Sequence, residues 1–419
     1  MNRSLGLEIR RVWVIGAGLM GHGIAQVFAM NGYQVNLVDI SDDILNKALE
    51  KIKWSLNKLA EKGALKEDVG SVMKRIRTTI NLLDAVRDVD FVIEAVPERL
   101  DLKNKIFAEI DSVAPKHCIF CSNTSGLPIT LMAEATKRPE KVIGMHWFNP
   151  PQLMRLVEVI KTKYSSDEAL QIVFELSKRL GKTPILVKRD VRGFIANRVY
   201  GVIGNEALLM YLRGEAEPIE IDAACRYKLK LPLGPFELSD FTGSVDIRVS
   251  ARALMEEILK RYPEWEPHKE LLEFENATFK LIKERYDKGL LGVKTGQGFY
   301  KYPEPGKWVR PDIPEKYAEK IDPLEVVAPA INVSAWLIRN GIVTAQDIDT
   351  ALKLGYNFPM GLLEYADAIG LDNVVKVLEA KAKKVKEPYA VIYKPDELLL
   401  KLVREGKLGK KSGEGFYKY

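Results

Sequence analysis

The feature that most constrains this chain is a glycine-rich turn, Gly16-Ala17-Gly18-Leu19-Met20-Gly21, set between two apolar stretches of different character. VWVI before it reads as a buried strand, and GHGIAQVFAM after it reads as a helix. A strand that turns directly into a helix uses each glycine differently. Gly16 permits the tight turn, Gly18 lets a phosphate approach the backbone, and Gly21 lets the helix pack closely on the strand. Leu19 and Met20 complete the turn that a dinucleotide would cross. The helix N-terminus then offers free N–H groups and the positive end of its dipole to a pyrophosphate. The next strand, VNLVD, ends at Asp39, which is the expected interval of about twenty residues. A carboxylate there accepts hydrogen bonds from adenosine ribose hydroxyls and repels a 2′-phosphate, so NAD is expected over NADP. The competing reading of Asp39 is an acid that caps the helix beginning near Ser41.

Residues 11–188 continue this alternation. VWVIG, VNLVD, DFVIEAV, CIFCSN and KVIGMH are short apolar runs of the kind buried parallel strands require. Helical patterns lie between them. One has Ser41 as a plausible N-cap, acids in its first turn and Gly63 at its end; another stops at Pro115. The expectation is a doubly wound α/β domain of the Rossmann type over residues 1–188.

Beyond residue 190 helical patterns dominate and the chain repeats itself. IDAACRYKLKLPLGPFELSDFTG begins at Ile221, and IDTALKLGYNFPMGLLEYADAIG begins at Ile348. In a constant register Asp222 matches Asp349, Pro232 matches Pro359, Gly234 matches Gly361, Glu237 matches Glu364 and Asp240 matches Asp367. Each copy closes alike, in KTGQGFYKY around Lys294 and KSGEGFYKY around Lys411, segments expected to be strand or turn closures. Two all-α domains from a duplication follow, over 189–302 and 322–419, joined by a Pro- and charge-rich linker over 303–321.

Composition narrows the class. The chain has 419 residues, 47% hydrophobic and 29% charged, with a net charge of +6. That is enough core for two or three domains. The modest positive excess suits an anionic small molecule and is too diffuse for nucleic acid. No apolar run is long enough to span a membrane. The basic N-terminus leads into the glycine turn and so is not read as a leader. Three cysteines, Cys118, Cys121 and Cys225, make no disulfide framework, which fits a cytoplasmic setting. Cys118 and Cys121 form a CxxC, the pattern of a redox pair or half a zinc site. Placed in HCIFCSN with no second CxxC, they are read as small apolar residues of a buried strand, and no metal is expected.

Of four histidines, His146 ends the apolar run KVIGMH. Twelve residues later Glu158 sits inside the apolar run MRLVEVI. A carboxylate buried in such a strand requires a partner. If the two strands lie side by side, Glu158 holds one imidazole nitrogen and raises the basicity of the other. A pair of this kind is a general base for a hydroxyl proton. A histidine there is otherwise an ordinary core residue.

Over nearly its whole length the chain resembles the 3-hydroxyacyl-CoA dehydrogenase family. The resemblance is carried by GAGLMGHGIA at 16–25, EAVPE at 94–98, SNTSGL at 122–127, GMHWFNPPQLMRLVEV at 144–159, RDVRGFIANR at 189–198 and LPLGPFELSDFTG at 231–243. It implies oxidation of a short (S)-3-hydroxyacyl-CoA to a 3-ketoacyl-CoA with NAD. It gives His146 the role of general base and Glu158 that of orienting it. Ser125 would bond the substrate oxygen beside the nicotinamide, and Asn197 would contact the substrate carbonyl region. Glu98, Lys103 and Asn149 would line the cofactor, Ser55 and Lys62 would reach the CoA, and Lys294 would touch NAD.

In the repeat register Asn197 falls opposite Leu324, and GFxxNR has no counterpart in the second copy. The second copy is therefore expected to be structural, packed on the first as an internal pseudo-dimer in a monomer or homodimer. No further α/β pattern follows residue 190, so the expectation is a dehydrogenase alone or the dehydrogenase part of something longer. Two other readings remain: a dehydrogenase of free hydroxy acids, disfavoured by HWFNPP and LVEV, and a silent NAD-binding or structural relative.

Overall fold

The computed structural model describes residues 8–83 and 88–419. Residues 1–7 of the basic N-terminal segment, read above as no leader, lie outside them. Two compact units divide the chain, one ending at Phe194 and the other beginning at Ile195.

In the first unit β1 (Arg11–Ile15), β2 (Gln34–Val38), β3 (Ile76–Thr79), β4 (Phe91–Glu94), β5 (Ile119–Ser122), β6 (Val142–Trp147), β7 (Leu156–Ile160) and β8 (Thr183–Val187) form one sheet, ordered β3-β2-β1-β4-β5-β6-β7-β8. Neighbours run parallel except for the antiparallel pair β6–β7. The helices are α1 (Gly21–Met30), α2 (Asp42–Glu61), α3 (Val69–Met73), α4 (Leu100–Val113), α5 (Ile129–Ala133) and α6 (Asp167–Arg179). Ser41 caps α2 by accepting from the Ile44 N–H at 3.3 Å. Helices α1, α2 and α6 bury Phe28, Ile52 and Val173 in a core shared with Val14, Leu37 and Ile93 of the sheet. Strand order reverses between β1 and β4. At such a switch point the carboxyl ends of adjacent strands open a crevice for a ligand.

Two strands had not been read from the sequence. β3 has the sequence IRTT, whose only buried residue is Ile76. β8 carries Pro184, which demotes a strand reading. Both are sheet edges, where one-sided pairing removes the need for an unbroken apolar run.

The second unit is helical: α7 (Ala196–Leu212), α8 (Pro218–Ala223), α9 (Pro235–Thr242), α10 (Ser244–Arg261), α11 (Glu270–Asp287), α12 (Pro323–Arg339), α13 (Ala345–Gly355), α14 (Leu362–Ile369), α15 (Leu371–Lys384) and α16 (Glu397–Arg404). The repeated sequence signals make matching hydrogen bonds. Asp222 accepts from the Phe236 and Glu237 N–H groups at 2.9 and 2.8 Å and from the Tyr300 hydroxyl at 2.8 Å. Asp349 accepts from Leu363, Glu364 and Tyr417 in the same way, at 2.8, 3.0 and 2.7 Å. Burial pushes the Asp222 carboxyl up to about 8 and that of Asp349 up to about 6. Asp240 takes the Phe299 and Tyr300 N–H groups, and Asp367 takes those of Phe416 and Tyr417. Each FYKY segment is thus a turn closed on a buried aspartate, with only isolated bridges such as Gly292 with Gln297 and Gly409 with Glu414.

Helix α12 is buried on nearly every side and packs along α7. On α7 the fully buried Glu206 accepts from Lys381 at 2.8 Å, Tyr393 at 2.6 Å and Arg213 at 3.1 Å. In the segment 303–321, Ile313 and Ala318 pack against Ala223 of α8.

Candidate active site

The turn after β1 is built as its glycines require. Gly16 has φ +97°, and a Cβ there would meet the Ala95 carbonyl oxygen at 2.6 Å. A Cβ on Gly21 would collide with the Gly16 carbonyl. Gly18 and Leu19 are exposed, Leu19 by 67%, while Met20 packs on the core. A Cβ on Gly18 would meet nothing within 4 Å, so backbone lies open there for a phosphate. Asp39 accepts from the Ala17 N–H at 2.7 Å and from its neighbour Ile40 N–H at 2.7 Å. Its carboxylate therefore ties the turn to the end of β2, and the cap of α2 belongs to Ser41.

A buried ionic network lies under the next two loops. Glu94, fully buried at the end of β4, accepts from the Val96 N–H at 2.6 Å, the Ser122 hydroxyl at 2.7 Å and the Lys103 ammonium at 2.7 Å. Lys103, 1% exposed, also reaches the Val96 carbonyl at 3.1 Å and Glu98 at 3.3 Å. Its three donors are all engaged within the protein. Glu98 in turn accepts from the Thr124 hydroxyl at 2.5 Å and from the Ser125 and Gly126 N–H groups at 3.1 and 2.9 Å. The loop carrying Ser125 is thus held from below while Ser125 itself is exposed. Glu94 was missed in the sequence. Its signal, an acid inside the apolar run DFVIEAV, is the one that singled out Glu158.

His146 and Glu158 face each other across the antiparallel pair β6–β7. Residues directly opposite in such a pair project from the same face of the sheet. His146 Nδ1 lies 2.6 Å from Glu158 Oε2, with the side chains 6% and 0% exposed. An ionised carboxylate can only accept, so Nδ1 carries the proton and Nε2 keeps its lone pair. Nε2 has no hydrogen-bond partner among the described residues. Phe148 and Phe194 flank the ring, with centroids at 4.6 and 5.6 Å.

Asn149, just beyond β6, is exposed. The following loop is fixed by Lys182, which donates to the Pro151 and Met154 carbonyls at 2.5 and 2.8 Å and whose burial lowers its ammonium to about 8. Ser55 is 7% exposed on the inward side of α2 with Ile52 and Leu56, whereas Lys62, just past the helix end, is exposed. The structure does not bring these two together at one surface. Cys118 and Cys121 are buried at β5, and burial pushes both thiols up. Among the described residues no cluster of His, Cys, Asp or Glu could hold a metal, and no helix is long and apolar enough to cross a membrane.

In the helical unit, Asn197 accepts through Oδ1 from the Tyr356 hydroxyl at 2.7 Å. Its neighbour Arg198 is buried in a two-bond pair with Glu266, at 3.1 and 2.5 Å. Lys294 pairs with Asp246 at 2.6 Å, and Lys411 makes the matching pair with Asp372 at 2.5 Å.

The chain matches the NAD binding domain of 3-hydroxyacyl-CoA dehydrogenase over residues 11–191 and the C-terminal domain of 3-hydroxyacyl-CoA dehydrogenase over 193–302 and 325–419. Mitochondrial hydroxyacyl-coenzyme A dehydrogenase of Sus scrofa is 40% identical over 300 residues, covering 70% of this chain and 91% of the relative. A probable 3-hydroxybutyryl-CoA dehydrogenase of Deinococcus radiodurans is 40% identical over 289 residues, covering 69% and 99%. The crystal structure of 3-hydroxybutyryl-CoA dehydrogenase from Escherichia coli K12 superposes with a TM-score of 0.81 at 27% identity, covering 96% of this chain and 100% of that one. With both domain matches in order along the chain, it belongs to the 3-hydroxyacyl-CoA dehydrogenase family.

Proposed function

We propose that the chain is an NAD-dependent (S)-3-hydroxyacyl-CoA dehydrogenase that converts a short 3-hydroxyacyl-CoA, such as 3-hydroxybutyryl-CoA, to the 3-ketoacyl-CoA. The observation that carries the reading is the 2.6 Å bond from His146 Nδ1 to Glu158, with Nε2 left as an acceptor. Nε2 takes the proton of the substrate 3-hydroxyl, and Glu158 stabilises the imidazolium that forms. Ser125 donates to the oxygen as negative charge develops on it. NAD, when bound, would supply the acceptor for the hydride that leaves C3. Gly16, Gly18, Leu19, Met20 and Gly21 would carry its pyrophosphate, and Asp39 would face the adenosine ribose and favour NAD over NADP. Glu98 and Asn149 would line the nicotinamide half. Lys103 supports that half through Glu94 and Glu98, since its donors are taken. Asn197 is assigned the acyl-CoA carbonyl, Ser55 and Lys62 the CoA, and Lys294 a cofactor contact. The cytoplasm is the proposed setting.

We further propose that the helical unit arose by duplication, with halves at 189–302 and 322–419 joined by 303–321 and packed as an internal pseudo-dimer. The matching aspartate cradles at Asp222 and Asp349 support this, as does the packing of α12 along α7. Monomer and homodimer are both compatible with it.

The test of the reaction is NADH oxidation with acetoacetyl-CoA beside free acetoacetate. Turnover of the thioester alone is expected. Equal turnover of the free acid would replace the reading with that of a hydroxy-acid dehydrogenase.

A further inference from the structure

The bond that fixes Asn197 comes from far along the chain. Tyr356 follows the end of α13, 159 residues away, and its hydroxyl lies 2.7 Å from Asn197 Oδ1. Its ring stacks flat on Tyr200, one turn along α7 from Asn197, with centroids 4.2 Å apart and planes 7° from parallel. Phe358 closes the edge of Tyr200 at 6.2 Å. The tyrosine is therefore clamped on one face, and its hydroxyl position is set by the stack.

The repeat register adds a second observation. Tyr356 matches Leu229 of the first half, and the residues that follow, Asn357 and Lys230, have nearly equal left-handed φ values of 56° and 57°. The same turn is thus built in both halves. Only the second places a hydrogen-bond donor before it.

A side-chain amide has an accepting end and a donating end. With its oxygen engaged by the Tyr356 hydroxyl, Asn197 keeps its NH2 group without a partner among the described residues. That group is the end suited to a carbonyl. We propose that Tyr356 is a positioning residue for the substrate: its hydroxyl holds the Asn197 amide in the orientation that donates to the acyl-CoA carbonyl. The second helical half then takes part in substrate recognition, where the sequence suggested a structural role alone. The inference rests on the assignment of Asn197 to the substrate.

The test is steady-state kinetics of Tyr356→Phe with acetoacetyl-CoA and NADH, in the full chain and again on an Asn197→Ala background. The phenyl ring keeps the stack and loses only the hydroxyl. Removing one such bond should raise KM for acetoacetyl-CoA about fivefold, with kcat, KM for NADH and Tm nearly unchanged. On the Asn197→Ala background the same substitution should add nothing. An unchanged KM in the single variant overturns the proposal, as does an equal rise on both backgrounds or a loss of kcat that tracks a loss of Tm. A wild-type chain inactive on acetoacetyl-CoA sinks the functional reading and this inference together. An active wild type with an unaffected Tyr356→Phe sinks the inference alone.

Discussion

Glu158 lies directly opposite His146 in the β6–β7 register, and its carboxylate sits 2.6 Å from Nδ1 with no exposure to solvent. The pairing fixes the tautomer and supplies the counter-charge for an imidazolium. Glu158→Gln keeps the shape and removes the charge. It should lower kcat by about 10²–10³-fold while leaving NADH affinity within about twofold. Stopped-flow turnover with NADH binding by fluorescence checks this, and an unchanged kcat would remove Glu158 from the chemistry.

Asp39 joins the glycine turn to the end of β2 through its bond to the Ala17 N–H. The wild-type chain should use NADH far better than NADPH. Asp39→Asn should narrow that gap, chiefly by weakening NADH, since the group proposed to face the ribose would lose its charge. KM for the two cofactors in both proteins decides the matter.

Lys103 and Glu94 form an ion pair with exposures of 1% and 0%. Lys103→Met would leave a buried carboxylate uncompensated, a loss of about 3–5 kcal/mol. The double variant Glu94→Gln with Lys103→Met should recover most of the Tm. It should still bind NADH more weakly, because Glu98 and the loop at Ser125 lose their support. Thermal melts and NADH titration separate the two effects.

Residues beyond 322 satisfy the buried Glu206 of α7, through Lys381 and Tyr393. Deleting residues 322–419 should expose the apolar face of α7 and leave that carboxylate short of partners. Aggregation or new self-association in light scattering is expected. A monodisperse, fully active truncated chain would contradict the pseudo-dimer.

Burial, followed by the nearby Arg198 guanidinium, pushes the His268 imidazole down to about 4. In the unfolded chain the same group titrates near its ordinary value of about 6.5. The unfolded state therefore binds the proton more readily. The associated stability is whole above about pH 6.5 and is lost as pH falls toward 4, a change of about 3 kcal/mol. His268→Gln should flatten denaturant midpoints across that window.

What the sequence disclosed follows from where local pattern and tertiary need coincide. The glycine turn was legible because three glycines, a strand and a helix must occur together there. The His146–Glu158 pair was legible because an acid in an apolar strand demands a partner. Glu94 carried the same signal within DFVIEAV but was absorbed into a strand, and its lysine partner is nine residues on, across a loop and into α4. β3 and β8 escaped because edge strands tolerate IRTT and a proline. The bond between Tyr356 and Asn197 had no local trace, since its two residues lie 159 positions apart in the chain. Ser55 was placed by resemblance alone, and the inward side of α2 is where its spacing from Ile52 puts it.

The most direct test of the central claim is the rate of NADH oxidation by acetoacetyl-CoA in wild type and in His146→Gln, with NADH binding measured in both. The account predicts fast wild-type turnover, a loss of about 10²–10⁴-fold in the variant and unchanged NADH affinity. Wild-type turnover that survives in His146→Gln would contradict it, because the proton would then have another acceptor.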